Sequence, residues 1–251
     1  MMESFSPLPR CRSEAGSTAV ATAMPTPGLG EGPSDSRPLA IFDLDGTLTT
    51  RDSFLAYLIS FGRRFSRYRA IAGMPFLLSG YLGKLLKDYE LKQRLIQNFI
   101  AGVEPEWIHE HNQWFCEQWL PRHLHPVGHR LLQGHHRQSH RVILLSASPN
   151  IFVPCIAASL GIEEVVCTRV RQLEGIWQGQ LEGQNCKGRE KLAALQQRLA
   201  LSERPSGSYS YGDSRSDLPV LSWVEHGAWV RRRDFRPLSG VSRSVFPWSE
   251  V

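Results

Sequence analysis

The chain has 251 residues, enough for one sizeable core or for a core with a small accessory domain. Hydrophobic residues make up 41% and charged residues 21%, the balance of an ordinary globular protein, and a net charge of +5 without any basic-aromatic module excludes a typical nucleic-acid binder. The five cysteines (Cys11, Cys116, Cys155, Cys167 and Cys186) show no CxxC spacing, which argues against a disulfide framework or a structural zinc site and points to a reducing, cytoplasmic setting.

Residues 1–37 are rich in Ser, Pro, Gly, Ala and Thr without hydrophobic periodicity and are expected to be disordered. They lack the basic-then-apolar pattern of a secretory leader, and nowhere is there an apolar run long enough for an ordinary membrane span. Order is expected to begin at Leu39-Ala40-Ile41-Phe42, a buried strand that ends in a turn at Gly46. The stretch 53–132 reads as mostly helical. It holds an apolar segment from Ala70 to Leu86, broken by Gly73, Pro75, Gly80 and Gly83, and then an amphipathic run from Tyr89 to Ile100. A helix ending near His140 leads into a strand at Arg141–Leu145. A helix over 151–160, a strand over 164–167 and a hairpin punctuated by Gly175, Gly179 and Gly183 follow. Lys187 to Leu199 reads as a helix, Tyr209–Tyr211 as a strand ending at Gly212-Asp213, and Gly227–Val230 as a further strand.

Alternating strands and helices imply an α/β, Rossmann-like core of three layers, a parallel sheet with helices on both faces. The stretch 53–132 is too long for a simple crossover and should form an inserted helical cap. The expected division is therefore a core of 38–52 and 133–240, a cap of 53–132, and a tail of 241–251. In such sheets chemistry gathers at the carboxyl ends of the strands, and three of these ends carry Asp43, Ser146 and Asp213.

An apolar strand running into Asp43-Leu44-Asp45-Gly46-Thr47 is chemically unusual. Desolvation and mutual repulsion oppose two carboxylates there unless a cation compensates, and Mg²⁺ supplies hard-oxygen chemistry for that purpose. One carboxylate can then attack phosphorus, while the second protonates the leaving oxygen and later takes a proton from water. Gly46 lets the chain turn so that backbone N–H groups can face phosphate oxygens.

Asp43-Leu44-Asp45-Gly46-Thr47 resembles motif I of the haloacid dehalogenase superfamily. The resemblance implies that Ser146 at a strand end is motif II, that Lys187 in Asn185-Cys186-Lys187-Gly188 is motif III, and that Gly212-Asp213-Ser214-Arg215-Ser216-Asp217 is motif IV. It assigns the nucleophile to Asp43 and the acid–base role to Asp45. Phosphate would be bound by Ser146, the Ala147 N–H and Lys187, with Lys191 as the competing lysine. Mg²⁺ would be held by Asp43, Asp45, Asp213 and Asp217. The second acid, Asp45, separates this chain from dehalogenases and favours phosphate-ester hydrolysis. An insertion between motifs I and II is similar to the type C1 cap arrangement. The Gly175–Gly179 hairpin before Asn185 is similar to the phosphoserine-phosphatase-like branch, subfamily IB, which also includes a phosphatase of a lipid phosphate. A small phosphate ester such as phosphoserine is the implied substrate, with a lipid phosphate as the alternative and a non-catalytic phosphate binder as the remaining one.

The apolar segment 70–86 is preceded by Arg63, Arg64, Arg67 and Arg69, so contact with an anionic membrane surface stands beside a role in the cap core. Eight of the nine histidines fall between His109 and His140, on the polar parts of helices, and are expected to be solvated rather than metal ligands.

Overall fold

The computed structural model describes residues 37–201, 203–238 and 246. The expected disordered segment 1–37 and the expected tail 241–251 lie outside the described residues, apart from Arg37 and Phe246. Phe246 is 2% exposed and packs edge-on against Phe235, with ring centroids 5.0 Å apart.

β1 (Leu39–Phe42) is buried along its whole length, as an apolar run without alternation requires of a parallel strand covered on both faces. It lies between β2 (Arg141–Pro149) on one side and the strand Tyr209–Gly212 on the other. β3 (Glu164–Thr168) extends the sheet beyond β2. A separate antiparallel ribbon, β4 (Val170–Leu173) and β5 (Ile176–Leu181), forms the expected hairpin. With β6 as Tyr209–Gly212, β7 as His226–Val230 and β8 as Phe235–Pro237, the sheet order is β3-β2-β1-β6-β7-β8. All neighbours are parallel except β7 and β8, so the expected α/β fold is present with one antiparallel edge strand added.

The pleat of β1 sends its side chains into two different cores. Ala40 and Phe42 join the larger cluster, and Leu39 and Ile41 join the smaller one. The smaller cluster is closed by Leu195 from α8 (Arg189–Leu199) and Val220 from α9 (Leu218–Trp223). The larger one takes in α7 (Val153–Ser159) and the helical insertion, made of α1 (Ser53–Arg64), α2 (Tyr68–Leu82), α3 (Asp88–Phe99), α4 (Pro105–Trp114), α5 (Leu120–His123) and α6 (Pro126–Arg137).

Local chemistry explains these helices. Asp52 caps α1 by accepting from the Leu55 N–H at 2.8 Å, and Phe54, Tyr57, Leu58 and Phe61 make its buried stripe at helical spacing. α3 buries Leu91, Leu95, Ile96 and Phe99 in the same way. α2 differs, because it contains Pro75 and buries only Met74, while Phe76 and Leu82 are 78% and 79% exposed. The boundary drawn at 132/133 falls inside α6, a helix that packs against the sheet side of the molecule as one piece. A Cβ at Gly128 would lie 1.8 Å from the Thr47 carbonyl oxygen, so glycine lets α6 press against the loop after β1. The insertion also touches the ribbon: a Cβ at Gly179 would lie 2.7 Å from Gln97 Cγ on α3.

Candidate active site

Because β1 is flanked by β2 and β6 in parallel, their carboxyl ends converge. Asp43 follows β1 directly and its N–H still donates to the Tyr211 carbonyl on β6 at 3.0 Å. Its side chain is nearly buried, and Oδ1 lies 2.5 Å from Lys191 Nζ. The same ammonium lies 2.6 Å from Asp217 Oδ1. Burial pushes the Asp43 carboxyl up to about 8, opposed by Lys191 and reinforced by Asp217 and Asp45. Burial alone would lower Lys191, but the two acids outweigh it and hold the ammonium protonated above its ordinary range.

The lysine beside Asp43 is therefore Lys191, where Lys187 was expected. Lys187 is half-exposed, and its Nζ lies 2.9 Å from Asp88 Oδ1. The reason is where α8 starts. Gly188 adopts φ +64, and the helix begins only at Arg189, so Lys187 stays in the preceding turn. Lys191, one turn further on, sits on the face that packs toward the sheet.

Asp213 follows β6, and a carboxylate oxygen from each of Asp43, Asp213 and Asp217 lies within 4.8 Å of the others. Burial, then Asp217, raises Asp213 to about 6. Gly46, at φ +85, makes room for this cluster, since a Cβ there would lie 2.0 Å from Asp213 Oδ2. Asp217 is further fixed at Oδ2 by the Ser214 N–H at 3.1 Å and the Ser214 hydroxyl at 2.9 Å.

Asp45, expected with these three in the metal set, stands apart from the cluster of Asp43, Asp213 and Asp217 carboxylates. Its Oδ1 accepts from the Ser53 N–H at 2.6 Å and its Oδ2 from the Ser148 hydroxyl at 2.8 Å. Burial and then Asp52 raise its pKa, and the bonds from Ser53 and Ser148 oppose the rise.

Ser146 is buried near the end of β2, and its hydroxyl oxygen accepts from the Ser148 N–H at 3.0 Å. The next residue, Ala147, has its carbonyl held at 2.6 Å by both Lys92 Nζ and the Thr168 hydroxyl. Lys92, Ser148, Ser53 and Thr168 went unnoticed in the sequence. A signal existed only for Lys92, a lysine set three residues before Leu95 and four before Ile96, on the apolar stripe of α3.

The histidines differ from expectation. His111, His125 and His135 are buried, and they make structural contacts rather than lying in solvent. His135 bonds the Tyr211 hydroxyl through Nε2 at 2.7 Å, and His125 accepts from the Gly128 N–H at 3.3 Å. Among the described residues, the acidic cluster Asp43, Asp213 and Asp217 contains no histidine.

Residues 40–222 match the sequence profile of the haloacid dehalogenase-like hydrolases. The chain belongs to this family. The match spans the first strand, the insertion, and the strand ends bearing Ser146 and Asp213. Protein CicA of Caulobacter vibrioides is 29% identical over 206 residues, covering 77% of this chain and 90% of the relative. A histidinol-phosphatase of Neisseria meningitidis serogroup C is 28% identical over 194 residues, covering 74% and 86%. A crystal structure of a protein of unknown function from Bordetella pertussis shares the fold, with a TM-score of 0.66 at 24% identity over 74% of this chain and 86% of that one.

An all-carboxylate set suits a hard divalent cation such as Mg²⁺, which prefers oxygen ligands. Three carboxylates (Asp43, Asp213 and Asp217) gather beside the Lys191 ammonium, and a bound cation would offset the burial, and the repulsion added by Asp217, that raise Asp43 and Asp213. The donor set therefore fits the ion the family implies.

Proposed function

We propose that this hydrolase is a phosphatase of phosphate monoesters that works through a phospho-aspartate on Asp43. The observation that carries the proposal is the nearly buried Asp43 carboxylate at the end of the central strand, paired with Lys191 and within 4.8 Å of Asp213 and Asp217. In this reading an Asp43 oxygen forms a bond to phosphorus as the ester P–O bond breaks, and Asp45 gives its proton to the leaving oxygen. Asp45 then takes a proton from water, whose oxygen attacks phosphorus and releases inorganic phosphate and free Asp43. Lys191 and the donors of Ser146 and Ala147 balance charge on the phosphoryl oxygens. Asp43, Asp213 and Asp217 would hold Mg²⁺, which would supply further positive charge at those oxygens.

The helical insertion would act as the cap that covers the site and excludes water. A small phosphorylated metabolite such as phosphoserine is the substrate we favour. The ribbon of β4 and β5 ahead of Asn185 supports placement in the phosphoserine-phosphatase-like branch, and the similarity to a histidinol-phosphatase supports a small phosphate ester. One observation favours a second reading, a lipid phosphate reached at an anionic membrane surface. α2 exposes Tyr68, Phe76 and Leu82, and no acidic residue occurs between Ser53 and Lys87, while Arg63, Arg64, Arg67, Arg69 and Lys84 do. No described helix is long and apolar enough to cross a membrane.

The test is phosphate release from a panel of phosphorylated metabolites, an aryl phosphate and lipid phosphates, with and without Mg²⁺, for wild type and Asp43→Asn. The proposal expects Mg²⁺-stimulated turnover that Asp43→Asn abolishes with the fold intact. Turnover that survives the substitution would remove Asp43 as nucleophile, and a wild type that binds phosphate without turnover would be a phosphate-binding protein instead.

A further inference from the structure

Lys92 is the least expected charge in the molecule. It lies on α3 beside Leu91, Leu95 and Ile96, it is 9% exposed, and its stem passes the Phe54 ring, 5.9 Å from Nζ to the centroid. Its Nζ is 2.6 Å from the Ala147 carbonyl and 2.6 Å from Asn185 Oδ1. Both acceptors are neutral. The acids nearby are engaged elsewhere: Asp88 with Lys187 and the Asn185 amide, Asp43 and Asp217 with Lys191, Asp45 with Ser53 and Ser148. Among the described residues no carboxylate forms an ion pair with it.

An ammonium has three N–H donors, and two are used here. A buried cation without a counter-charge is costly, and a Met or Leu would fill this stripe of α3 without that cost. The place matters as well. Ala147 sits between Ser146, expected to hold phosphate, and Ser148, which holds Asp45, and Asn185 precedes the turn into the helix of Lys191. Lys92 thus reaches from the insertion to the end of β2 that carries Ser146, while Lys191 reaches from α8 to Asp43 at the end of the neighbouring β1.

We propose that Lys92 is a substrate-contacting residue: its third N–H binds an anionic oxygen of the ester, either of the phosphoryl group or of a carboxylate elsewhere on the substrate. The proposal rests on the phosphatase reading for the identity of the ligand. The ammonium itself is held down to about 8 by burial, with Asp88, Asp45 and Cys186 raising it and Lys187 lowering it, so it is charged at neutral pH and ready to gain from an anion.

The experiment compares wild type, Lys92→Met, Lys92→Gln and Lys92→Arg, all with Mg²⁺. Calorimetry measures the affinity for inorganic phosphate, and kinetics measures KM and kcat for phenyl phosphate and for phosphoserine. Lys92→Gln keeps one donor for Ala147 without the charge, which covers the case in which Lys92→Met does not fold. Loss of a charged hydrogen bond predicts a Kd or KM increase of at least about tenfold in Met and Gln, largely recovered in Arg. A change in phosphate Kd identifies the phosphoryl group as the anion. A change confined to phosphoserine identifies the carboxylate. Affinity of the wild type should also fall as pH rises through about 8, and that of Lys92→Arg should not. Folded Gln and Met variants with unchanged Kd, unchanged KM for both esters and an unchanged pH profile would overturn the proposal, even with turnover intact. Conversely, absence of turnover in the wild type with a Lys92-dependent phosphate affinity would sink the phosphatase reading and leave the anion contact standing.

Discussion

Replacing Lys191 by Met separates the two lysines sharply. Its ammonium is 3% exposed and lies 2.5 Å from Asp43 and 2.6 Å from Asp217, so the variant leaves two buried carboxylates without their cation. Such a loss costs about 3–5 kcal/mol. Urea denaturation of the chelated protein should therefore show Lys191→Met about 3–5 kcal/mol less stable than wild type at pH 7. Turnover of an aryl phosphate should fall by about 10²–10³ in kcat. Lys187→Met breaks a half-exposed pair with Asp88 and should change stability by less than about 1 kcal/mol. A Lys191→Met protein as stable as wild type at pH 7, or a Lys187→Met protein inactive while Lys191→Met still turns over, would refute the placement of the buried ammonium.

Gly46→Ala should disable the acidic cluster, because its Cβ meets Asp213 Oδ2 and its φ of +85 is unfavourable for alanine; the check is a rise in the Mg²⁺ concentration needed for half-maximal activity. Gly128→Ala should destabilise by about 2–3 kcal/mol through its clash with the Thr47 carbonyl, read by thermal melting, with no change in substrate preference. Burial holds His111 neutral by lowering it from 6.5 to about 4, so its contribution is complete above pH 6.5 and is lost as pH falls toward 4. Lowering the pH from 7 to 5 should thus cost about 2 kcal/mol, and His111→Phe should lessen that drop in denaturation curves at the two pH values. Chelation followed by dialysis should abolish turnover, and Mg²⁺ should restore it.

Much of the architecture was legible because it rests on local pattern. A continuous apolar run such as Leu39–Phe42 suits only a strand buried on both faces, and Asp43-Leu44-Asp45-Gly46-Thr47 places two acids and a flexible turn at its end. The order of strand-end residues Asp43, Ser146 and Asp213 was likewise readable, since parallel strands bring like ends together.

Tertiary structure alone decided which charges meet. Lys187 and Lys191 are four residues apart and equivalent on a helical pattern; the backbone at Gly188 starts the helix late and selects Lys191. Asp45 carries the same side chain as Asp43 but is drawn away by Ser148, 103 residues distant in the chain. Lys92 reads as a misplaced polar residue until its partners, 55 and 93 residues away, are brought to it. Sequence pattern settles which faces are buried, because burial follows local periodicity. The pairing of buried charges depends on distances between remote segments, and only the packed chain sets those.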